Sequence, residues 1–210
     1  MEKLAVTVMN RKGGTGKTTI ASILTQLAIS DNRRVIAYDL DEQRNLTDTL
    51  VALGVENIRH QLGKHDEDED IDIFILDCPP SLSPITMEAI EFADIVLIPI
   101  RPDSYSLANL DILYDEIGKI GKVQQQAALV KNGFNQTLAS TQIEGLIQSR
   151  EFPVAGRLPQ NQRIINNIAQ GTPWFRGMAW DQQAPFFKLY KQIIVAFDRM
   201  LENDVEGMWK

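Results

Sequence analysis

The stretch RKGGTGKTT, Arg11–Thr19, is a glycine-rich loop that carries two lysines five positions apart. A short β-rich run, Lys3–Met9, leads directly into it, and apolar residues at the spacing of a helix face follow over Thr18–Ser30. A strand, a glycine-rich loop and a helix in this order form a cradle for phosphate, because backbone N–H groups converge there and the helix N-terminus adds favourable partial charge. The stretch therefore predicts a phosphate-binding loop.

The loop departs from the commonest phosphate-loop formula, G-x-x-x-x-G-K-[ST], because Arg11 occupies the position of the first glycine. The sequence reads K-G-G-x-G-K-T-T instead. Lys17 would supply a full positive charge to a bound phosphate, and Thr18 would place its hydroxyl on Mg²⁺. The nucleotide-binding residues predicted in the loop are Lys12, Gly13, Gly14, Thr15, Gly16, Lys17, Thr18 and Thr19.

Strand-like and helix-like segments alternate along the chain. The runs Ile71–Asp77 and Asp94–Ile100 are almost continuously apolar, as expected for parallel strands that are buried on both faces. Further strands are predicted at Lys3–Met9, Arg34–Leu40, Gln125–Lys131 and Pro153–Pro159. Helices are predicted at Thr18–Ser30, Asn45–Leu53, Pro84–Ala93, Leu107–Ile120, Thr141–Arg150 and Ala184–Leu201. The alternation predicts one α/β domain over residues 1–210, with a mostly parallel, twisted sheet and helices on both faces.

The composition is that of a globular protein without disulfides. Of the 210 residues, 44% are hydrophobic and 23% are charged, and Cys78 is the single cysteine, which favours a reducing compartment. The N-terminus lacks the basic and apolar regions of a signal peptide, and no stretch reaches the ~18 apolar residues of a membrane-spanning helix. These features predict a cytoplasmic protein.

The formal net charge is -7, and much of the acidity lies in the run HDEDEDID, His65–Asp72, which we interpret as a solvated surface loop. An acidic chain does not favour binding to nucleic acid. The excess of acidic residues is confined to the first half of the chain, however, and this leaves room for a basic surface in the second half.

The phosphate loop resembles the deviant Walker A motif of the ParA/MinD family of P-loop ATPases. Val35–Thr47 resembles the family's second motif, D-x-D-P-Q-x-N, and Phe74–Ser83 resembles its Walker B motif, D-x-P-P-S-L-S. Ala93–Leu110 matches the strand and the helix that follow. The resemblance covers most of the chain. It implies a P-loop NTPase fold of the deviant Walker A type, ATP and Mg²⁺ as cofactors, and a slow ATPase that a partner stimulates.

The resemblance also implies separate tasks for the two lysines of the loop. In the family, the first lysine reaches across to the partner's nucleotide when two ATP-bound subunits meet face to face. Lys17 would then serve the ATP of its own subunit, and Lys12 would serve that of the neighbour. A cation supplied by a second subunit is a recurring device in phosphoryl transfer. The implied assembly is a homodimer that forms with ATP and separates after hydrolysis.

Three aspartates lie at the ends of predicted strands, at the edge where open α/β sheets bind their ligands. By resemblance, Asp41 orients the attacking water, Asp39 supports the Mg²⁺ region, and Asp77 holds a metal-bound water. The implied catalytic residues are Lys12, Lys17 and Asp41. The implied metal-site residues are Thr18, Asp39 and Asp77. The implied contacts to the base, near the ends of later strands, are Asn132 and Pro159.

Three positions depart from the family's pattern. Glu42 stands where proline is usual, which predicts a less rigid turn. Cys78 stands where threonine is common, and it is interpreted as a packing residue because it lacks the basic neighbours of a reactive cysteine. Gln160 stands where an arginine often follows the proline, so Arg163 is the basic residue that remains in that segment.

The family contains members that act on DNA and members that act on membranes. ParA-like members bind nonspecific DNA as ATP dimers and position DNA or large cargo, whereas MinD-like members bind membranes through a basic amphipathic helix at the C-terminus. Here the C-terminal segment is acidic until Lys210, which favours a core helix over a membrane anchor. The apolar residues at core-like spacing are Phe187, Tyr190, Ile194, Phe197 and Leu201. The candidate DNA-binding residues are Arg150, Arg157, Arg163, Lys188 and Lys191.

The favoured interpretation is a small, ParF-like partition ATPase or an orphan relative that positions cargo, because the chain begins at the first strand and the second and third motifs lie close together. It implies a nucleoid-associated protein and a separately encoded ParB-like protein or adaptor as stimulator. Two alternatives stay open: a MinD-like regulator bound to a membrane or a protein partner, and a scaffold that binds ATP without turnover. A nitrogenase-reductase-like electron carrier is disfavoured, because its cluster needs more cysteines than this chain has.

Overall fold

The chain alternates between strands and helices in the computed structural model, which describes residues 2–63, 70–102, 110–122 and 126–210. The strands are β1 (Leu4–Val8), β2 (Val35–Asp39), β3 (Ile58–Arg59), β4 (Ile73–Asp77), β5 (Ile95–Ile100), β6 (Ala127–Asn132) and β7 (Val154–Leu158). The helices are α1 (Lys17–Ser30), α2 (Asn45–Ala52), α3 (Pro84–Phe92), α4 (Leu110–Lys119), α5 (Leu138–Ser149), α6 (Gln162–Ala169) and α7 (Trp180–Leu201). A short 3-10 helix follows at Val205–Gly207.

The strands form one sheet of seven in the order β3-β2-β4-β1-β5-β6-β7, and all neighbouring strands are parallel. Every residue of β1, β2, β4 and β5 is buried, because helices cover both faces of the sheet. The predicted fold class, an α/β domain with a mostly parallel sheet between two layers of helices, is confirmed.

Side chains of each strand alternate between two hydrophobic cores. Along β1, Leu4, Val6 and Val8 belong to the core that α1, α2, α6 and α7 cover, whereas Ala5 belongs to the core that α3, α4 and α5 cover. Since all strands are parallel, their carboxyl ends lie at one edge of the sheet. The phosphate loop, the three aspartates and Asn132 therefore meet at that edge.

The long helix α7 is a core helix, as predicted. Tyr190 and Phe197 are buried, and Phe187 and Ile194 are partly buried against the core. The prediction is wrong for Leu201, which is 42% exposed because the helix ends at this residue. No described helix combines the length and the apolar character that crossing a bilayer requires.

The sequence pattern did not predict β3, α6 or the short 3-10 helix, and it placed the start of α7 too late. β3 has two residues, paired with Ala37 and Tyr38, and is too short to show a period. α6 begins after Asn161, whose side chain accepts a hydrogen bond of 3.0 Å from the backbone N–H of Arg163. α7 begins four residues before the predicted start, because Pro185 lies inside the helix and not at its first turn.

Parts of three predicted segments, residues 65–69, 107–109 and 125, lie outside the described residues. The described end of the acidic run contacts Arg34, whose guanidinium is 2.6 Å from a carboxylate oxygen of Asp70 and 3.0 Å from one of Asp72. The hydrogen bonds from Arg34 lower the pKa of Asp72 to about 2. Asp70 is 89% exposed, as expected for a surface loop.

Candidate functional site

The phosphate loop between β1 and α1 has a backbone that its glycines make possible. Gly14 and Gly16 have φ angles of 74° and 100°, in the left-handed region that side chains disfavour. A Cβ atom on Gly16 would lie 2.3 Å from Nδ2 of Asn132. That amide nitrogen donates a hydrogen bond of 2.8 Å to the carbonyl oxygen of Thr15. Asn132, at the end of β6, therefore holds the loop in place.

A second asparagine, which the sequence reading missed, anchors the start of the loop. Asn10 is buried, and its amide donates a hydrogen bond of 2.8 Å to the carbonyl oxygen of Pro99 in β5. Its side-chain oxygen accepts a hydrogen bond of 2.9 Å from the backbone N–H of Lys12. The available signal was a polar residue directly after a buried strand, but its partner lies 89 positions away.

Lys17 projects from the first turn of α1 into the loop. Its ammonium group donates a hydrogen bond of 3.3 Å to the carbonyl oxygen of Lys12. Burial lowers the pKa of Lys17, and the nearby carboxylates of Asp77 and Asp41 oppose this effect. A buried cation that donates a hydrogen bond to a neutral carbonyl group is well placed to bind an anionic phosphate.

Asp39 and Asp77 end two neighbouring strands, and their Cα atoms are paired in the register of β2 and β4. Both residues are almost completely buried. Oδ1 of Asp39 and both carboxylate oxygens of Asp77 have no hydrogen-bond partner within the described ranges. Buried carboxylates of this kind require a cation or bound water.

The two carboxylates and Thr18 fit Mg²⁺ better than a metal that is held entirely by protein. The described residues include no group of three or more His, Cys, Asp or Glu side chains that would enclose a metal ion. Mg²⁺ usually takes one or two carboxylates and fills its other positions with water and phosphate oxygens. The donor set at this edge of the sheet therefore fits a magnesium ion that arrives with a nucleotide.

Asp77 titrates near neutral pH in the absence of ligands. Burial raises its pKa to about 7, and the negative charge of Asp39 adds to this effect. The Thr18 hydroxyl and the Lys17 ammonium act in the opposite direction, although the hydroxyl does not reach ordinary hydrogen-bond geometry. A cation bound beside Asp77 would favour its charged form.

We expect Asp77→Asn to stabilise the ligand-free protein above pH 7. Between about pH 4 and pH 7 the folded protein keeps a proton on Asp77 that the unfolded chain has released, so the stability due to this group falls as the pH rises. The full shift corresponds to at most about 4 kcal/mol. Thermal melts without nucleotide or Mg²⁺ should show that the two proteins converge near pH 4. Asp181→Asn, at an exposed position of α7, is the matched control, and equal slopes in all three proteins would contradict the prediction.

Asp41 is half-buried beside the phosphate loop. One of its carboxylate oxygens accepts a hydrogen bond of 3.0 Å from the backbone N–H of Gln43. The turn that follows is closed by Arg44, whose N–H donates to the carbonyl oxygen of Asp41 at 3.1 Å and whose φ angle is 55°. The Arg44 guanidinium also donates to the carbonyl oxygen of Asp39. These bonds hold the turn without the usual proline, and the lower rigidity expected from Glu42 stays a prediction.

A cavity of about 350 Å³ extends from the phosphate loop towards the ends of β6 and β7. The predicted loop residues from Gly13 to Thr19, apart from the buried Thr15, line it, together with Asp41, Asn132 and Pro159. Arg101, which the sequence reading missed, also lines the cavity and makes no hydrogen bond or ion pair with a described residue. Cys78 lies outside the cavity, and burial raises the pKa of its thiol, so it is the packing residue that was predicted.

The five basic residues proposed for DNA binding differ in their surroundings. Arg150 lies 3.4 Å from a carboxylate oxygen of Asp111, and Arg157 lies 3.2 Å from one of Glu144. The Arg163 guanidinium donates a hydrogen bond to the carbonyl oxygen of Gly177. The remaining two, Lys188 and Lys191, are exposed on α7 beside the 67% exposed Trp180, and neither pairs with an acidic residue of the described chain.

Comparison with known proteins agrees with this geometry. The profile of the family described as CobQ/CobB/MinD/ParA nucleotide binding domain matches residues 6–174. The chromosome-partitioning ATPase Soj of Thermus thermophilus is 27% identical over 219 aligned residues, which cover 80% of this chain and 88% of that protein. The chromosome partitioning protein ParA of Myxococcus xanthus is 27% identical over 191 residues, which cover 68% of this chain and 63% of that protein.

Among solved structures, a plasmid partition protein of Borrelia burgdorferi bound to AMPPNP has a TM-score of 0.75 at 17% identity, covering 92% of this chain and 98% of that one. At this identity the structural match shows a shared fold. The family profile, by contrast, spans most of the sequence, including the phosphate loop and all three aspartates. The chain therefore belongs to the CobQ/CobB/MinD/ParA nucleotide-binding domain family, in the ParA/MinD group of P-loop ATPases.

Proposed function

We propose that the protein is a Mg²⁺-dependent ATPase of the ParA type, which dimerises with ATP and positions or segregates DNA or another large cargo. The observation that carries the proposal is the arrangement around Lys17. The buried ammonium group of the phosphate loop lies near the buried carboxylate of Asp77, whose register partner Asp39 is buried as well. Three oxygens of these two carboxylates have no hydrogen-bond partner among the described residues. Such a site can bind the phosphates of a nucleotide together with their metal ion.

The residues of this site have distinct tasks in the proposed reaction. The backbone N–H groups of the loop and the Lys17 ammonium bind the phosphates, while Thr18, Asp39 and Asp77 hold the Mg²⁺ region. The metal ion, when bound, neutralises charge on the phosphate oxygens. Asp41 borders the cavity and orients the attacking water. In the proposed cycle Lys12 of one subunit contacts the nucleotide of the other.

In the proposed cycle, ATP binding makes two subunits associate, and the dimer presents the surface that binds DNA. In the proposed cycle the ATP dimer binds nonspecific DNA on the nucleoid, and a ParB-like protein or adaptor stimulates hydrolysis and release. Lys188 and Lys191 support this proposal best among the basic residues, because Arg150 and Arg157 already face carboxylates. DNA phosphates would have to compete with Asp111 and Glu144 for these two arginines.

We expect ATP-dependent binding to nonspecific duplex DNA, and we expect Asp41→Ala to prolong it by trapping the ATP state. The affinity should fall steeply with salt, because contacts to phosphates release counterions. Fluorescence anisotropy with labelled DNA, in ATP and in ADP, measures both effects. We expect the double substitution Lys188→Ala/Lys191→Ala to weaken binding by about tenfold or more at low salt, since each lysine neutralises a phosphate.

The matched control is Arg150→Ala/Arg157→Ala, which removes the same number of charges from paired positions and should have the smaller effect. Equal binding in ATP and ADP would contradict the proposed switch. Absence of DNA binding in both states, with ATP-dependent dimers still visible by light scattering, would favour the MinD-like alternative of a regulator that acts at a membrane or on a protein partner.

A further inference from the structure

Asp39 is held by a residue to which neither the sequence reading nor the proposed reaction gives a task. The backbone N–H of Thr47 donates a hydrogen bond of 2.8 Å to Oδ2 of Asp39, and the Thr47 hydroxyl donates one of 2.7 Å to the same oxygen. Two donors on one carboxylate oxygen fix the rotation of the carboxylate about its last side-chain bond.

The two hydrogen bonds determine which oxygen of Asp39 is left for a ligand. Oδ2 is satisfied, whereas Oδ1 is buried without a partner in the described part of the chain. Asp77, the register partner of Asp39 on the neighbouring strand, has two unpartnered oxygens. The contact with Thr47 therefore keeps one oxygen of Asp39 available beside those of Asp77.

The same contact also caps helix α2. This structural role must be separated from the role of the contact in orienting Asp39. Thr47 lies in the first turn of α2, and the residue before the helix, Arg44, makes no side-chain cap. The Asp39 carboxylate takes the place of that cap by accepting the Thr47 N–H, and its charge is favourable at a helix N-terminus. The backbone part of this contact does not depend on the side chain of residue 47, so substitution there isolates the role of the hydroxyl.

We propose that Thr47 is a positioning residue whose hydroxyl orients Asp39 towards the metal ion that accompanies the nucleotide. The inference rests on the proposed function, because it presupposes a Mg²⁺–nucleotide complex at this edge of the sheet. Partners that orient a carboxylate in a metal site typically change metal affinity by about 10- to 100-fold when they are removed.

The test measures ATP affinity at increasing Mg²⁺ concentration and in EDTA, for the wild type, Thr47→Val, Thr47→Ala and Thr47→Ser. We expect the two variants without a hydroxyl to need about tenfold more Mg²⁺ for half-maximal enhancement of ATP binding, with little change in EDTA. Thr47→Ser should behave like the wild type. If Thr47→Val does not fold properly, Thr47→Ala still tests the loss of the hydroxyl.

Thr49→Val is the matched control on the same helix, since the Thr49 hydroxyl donates a hydrogen bond of 2.8 Å to the carbonyl oxygen of Asn45 and does not contact Asp39. An unchanged Mg²⁺ requirement in the Thr47 variants would overturn the inference. Equal losses in Thr47→Val and Thr49→Val, with and without Mg²⁺, would also overturn it and assign both hydroxyls to helix stability. A wild-type ATP affinity that ignores Mg²⁺ would contradict the proposed function and this inference together.

Discussion

Lys12→Ala should bind ATP almost as well as the wild type and remain monomeric in its presence. The backbone of Lys12 makes three hydrogen bonds that hold the loop: its N–H donates to Asn10, and its carbonyl oxygen accepts from Lys17 and from the Thr15 hydroxyl. Alanine keeps all three, so the loop should retain its shape. The side chain, in the proposed cycle, acts on the nucleotide of the other subunit.

Light scattering after gel filtration in ATP and in ADP measures the predicted loss of the dimer, and nucleotide affinity is measured in parallel. A cation supplied by a second protein contributes about 10³- to 10⁵-fold to the rate in related phosphoryl transfers, so partner-stimulated turnover should fall at least about 10³-fold. Arg11→Ala, one position away, is the control and should still dimerise. If Lys12→Ala still forms a dimer with ATP, the assignment of Lys12 to the nucleotide of the other subunit is wrong.

Gly16→Ala should weaken nucleotide binding and lower turnover by roughly 100-fold. A methyl group at this position would lie 2.3 Å from the Asn132 amide nitrogen, and the φ angle of 100° is disfavoured for alanine. The strained backbone costs about 1–3 kcal/mol. To relieve the clash, either the loop or Asn132 must shift, and a displacement of about 1 Å costs roughly 100-fold in turnover.

Calorimetric titration with ATP, thermal melts and an assay of ATP turnover together measure the effect of Gly16→Ala. Gly145→Ala is the control, because a Cβ built at this position of α5 meets no atom within 4 Å beyond its chain neighbours and the backbone of its own helix. It should bind ATP normally and be slightly more stable, since alanine favours a helix. The double substitution Gly16→Ala/Asn132→Ala should recover only part of the affinity, because it removes the clash and leaves the φ angle. Normal affinity in Gly16→Ala alone would show that the loop tolerates the methyl group.

The elements with strong periodic patterns were predictable from the sequence. The apolar runs that became β4 and β5 and the helix after the phosphate loop were found, as was the meeting of Asp39, Asp41 and Asp77 at one edge, because parallel strands place their ends together. β3 was not predictable, since two residues at the edge of a sheet carry no period.

The residues that support the site could not be predicted from the sequence, in most cases because their partners are distant in sequence. Asn10 is anchored by a carbonyl group of β5, and Asn132, predicted to contact the base, donates its amide to the phosphate loop 117 positions away. Thr47 and Asp39 are only eight positions apart, yet the turn between them depends on the left-handed backbone of Arg44, a conformation that an arginine in a sequence does not signal.

The contacts of Asn10 and Asn132 determine how much of this protein must accompany the phosphate loop if the loop is transferred to another protein. Two asparagine side chains hold the nine residues Arg11–Thr19 in shape. The Asn132 amide on β6 donates to the carbonyl oxygen of Thr15, and the Asn10 side chain, itself anchored on the Pro99 carbonyl of β5, accepts from the N–H of Lys12. If these nine residues were transferred to a protein that lacks these groups, they would form a flexible, glycine-rich segment with the conformational entropy of any such linker. The smallest portable unit is therefore three adjacent strand ends, with Asn10, Pro99 and Asn132 in place.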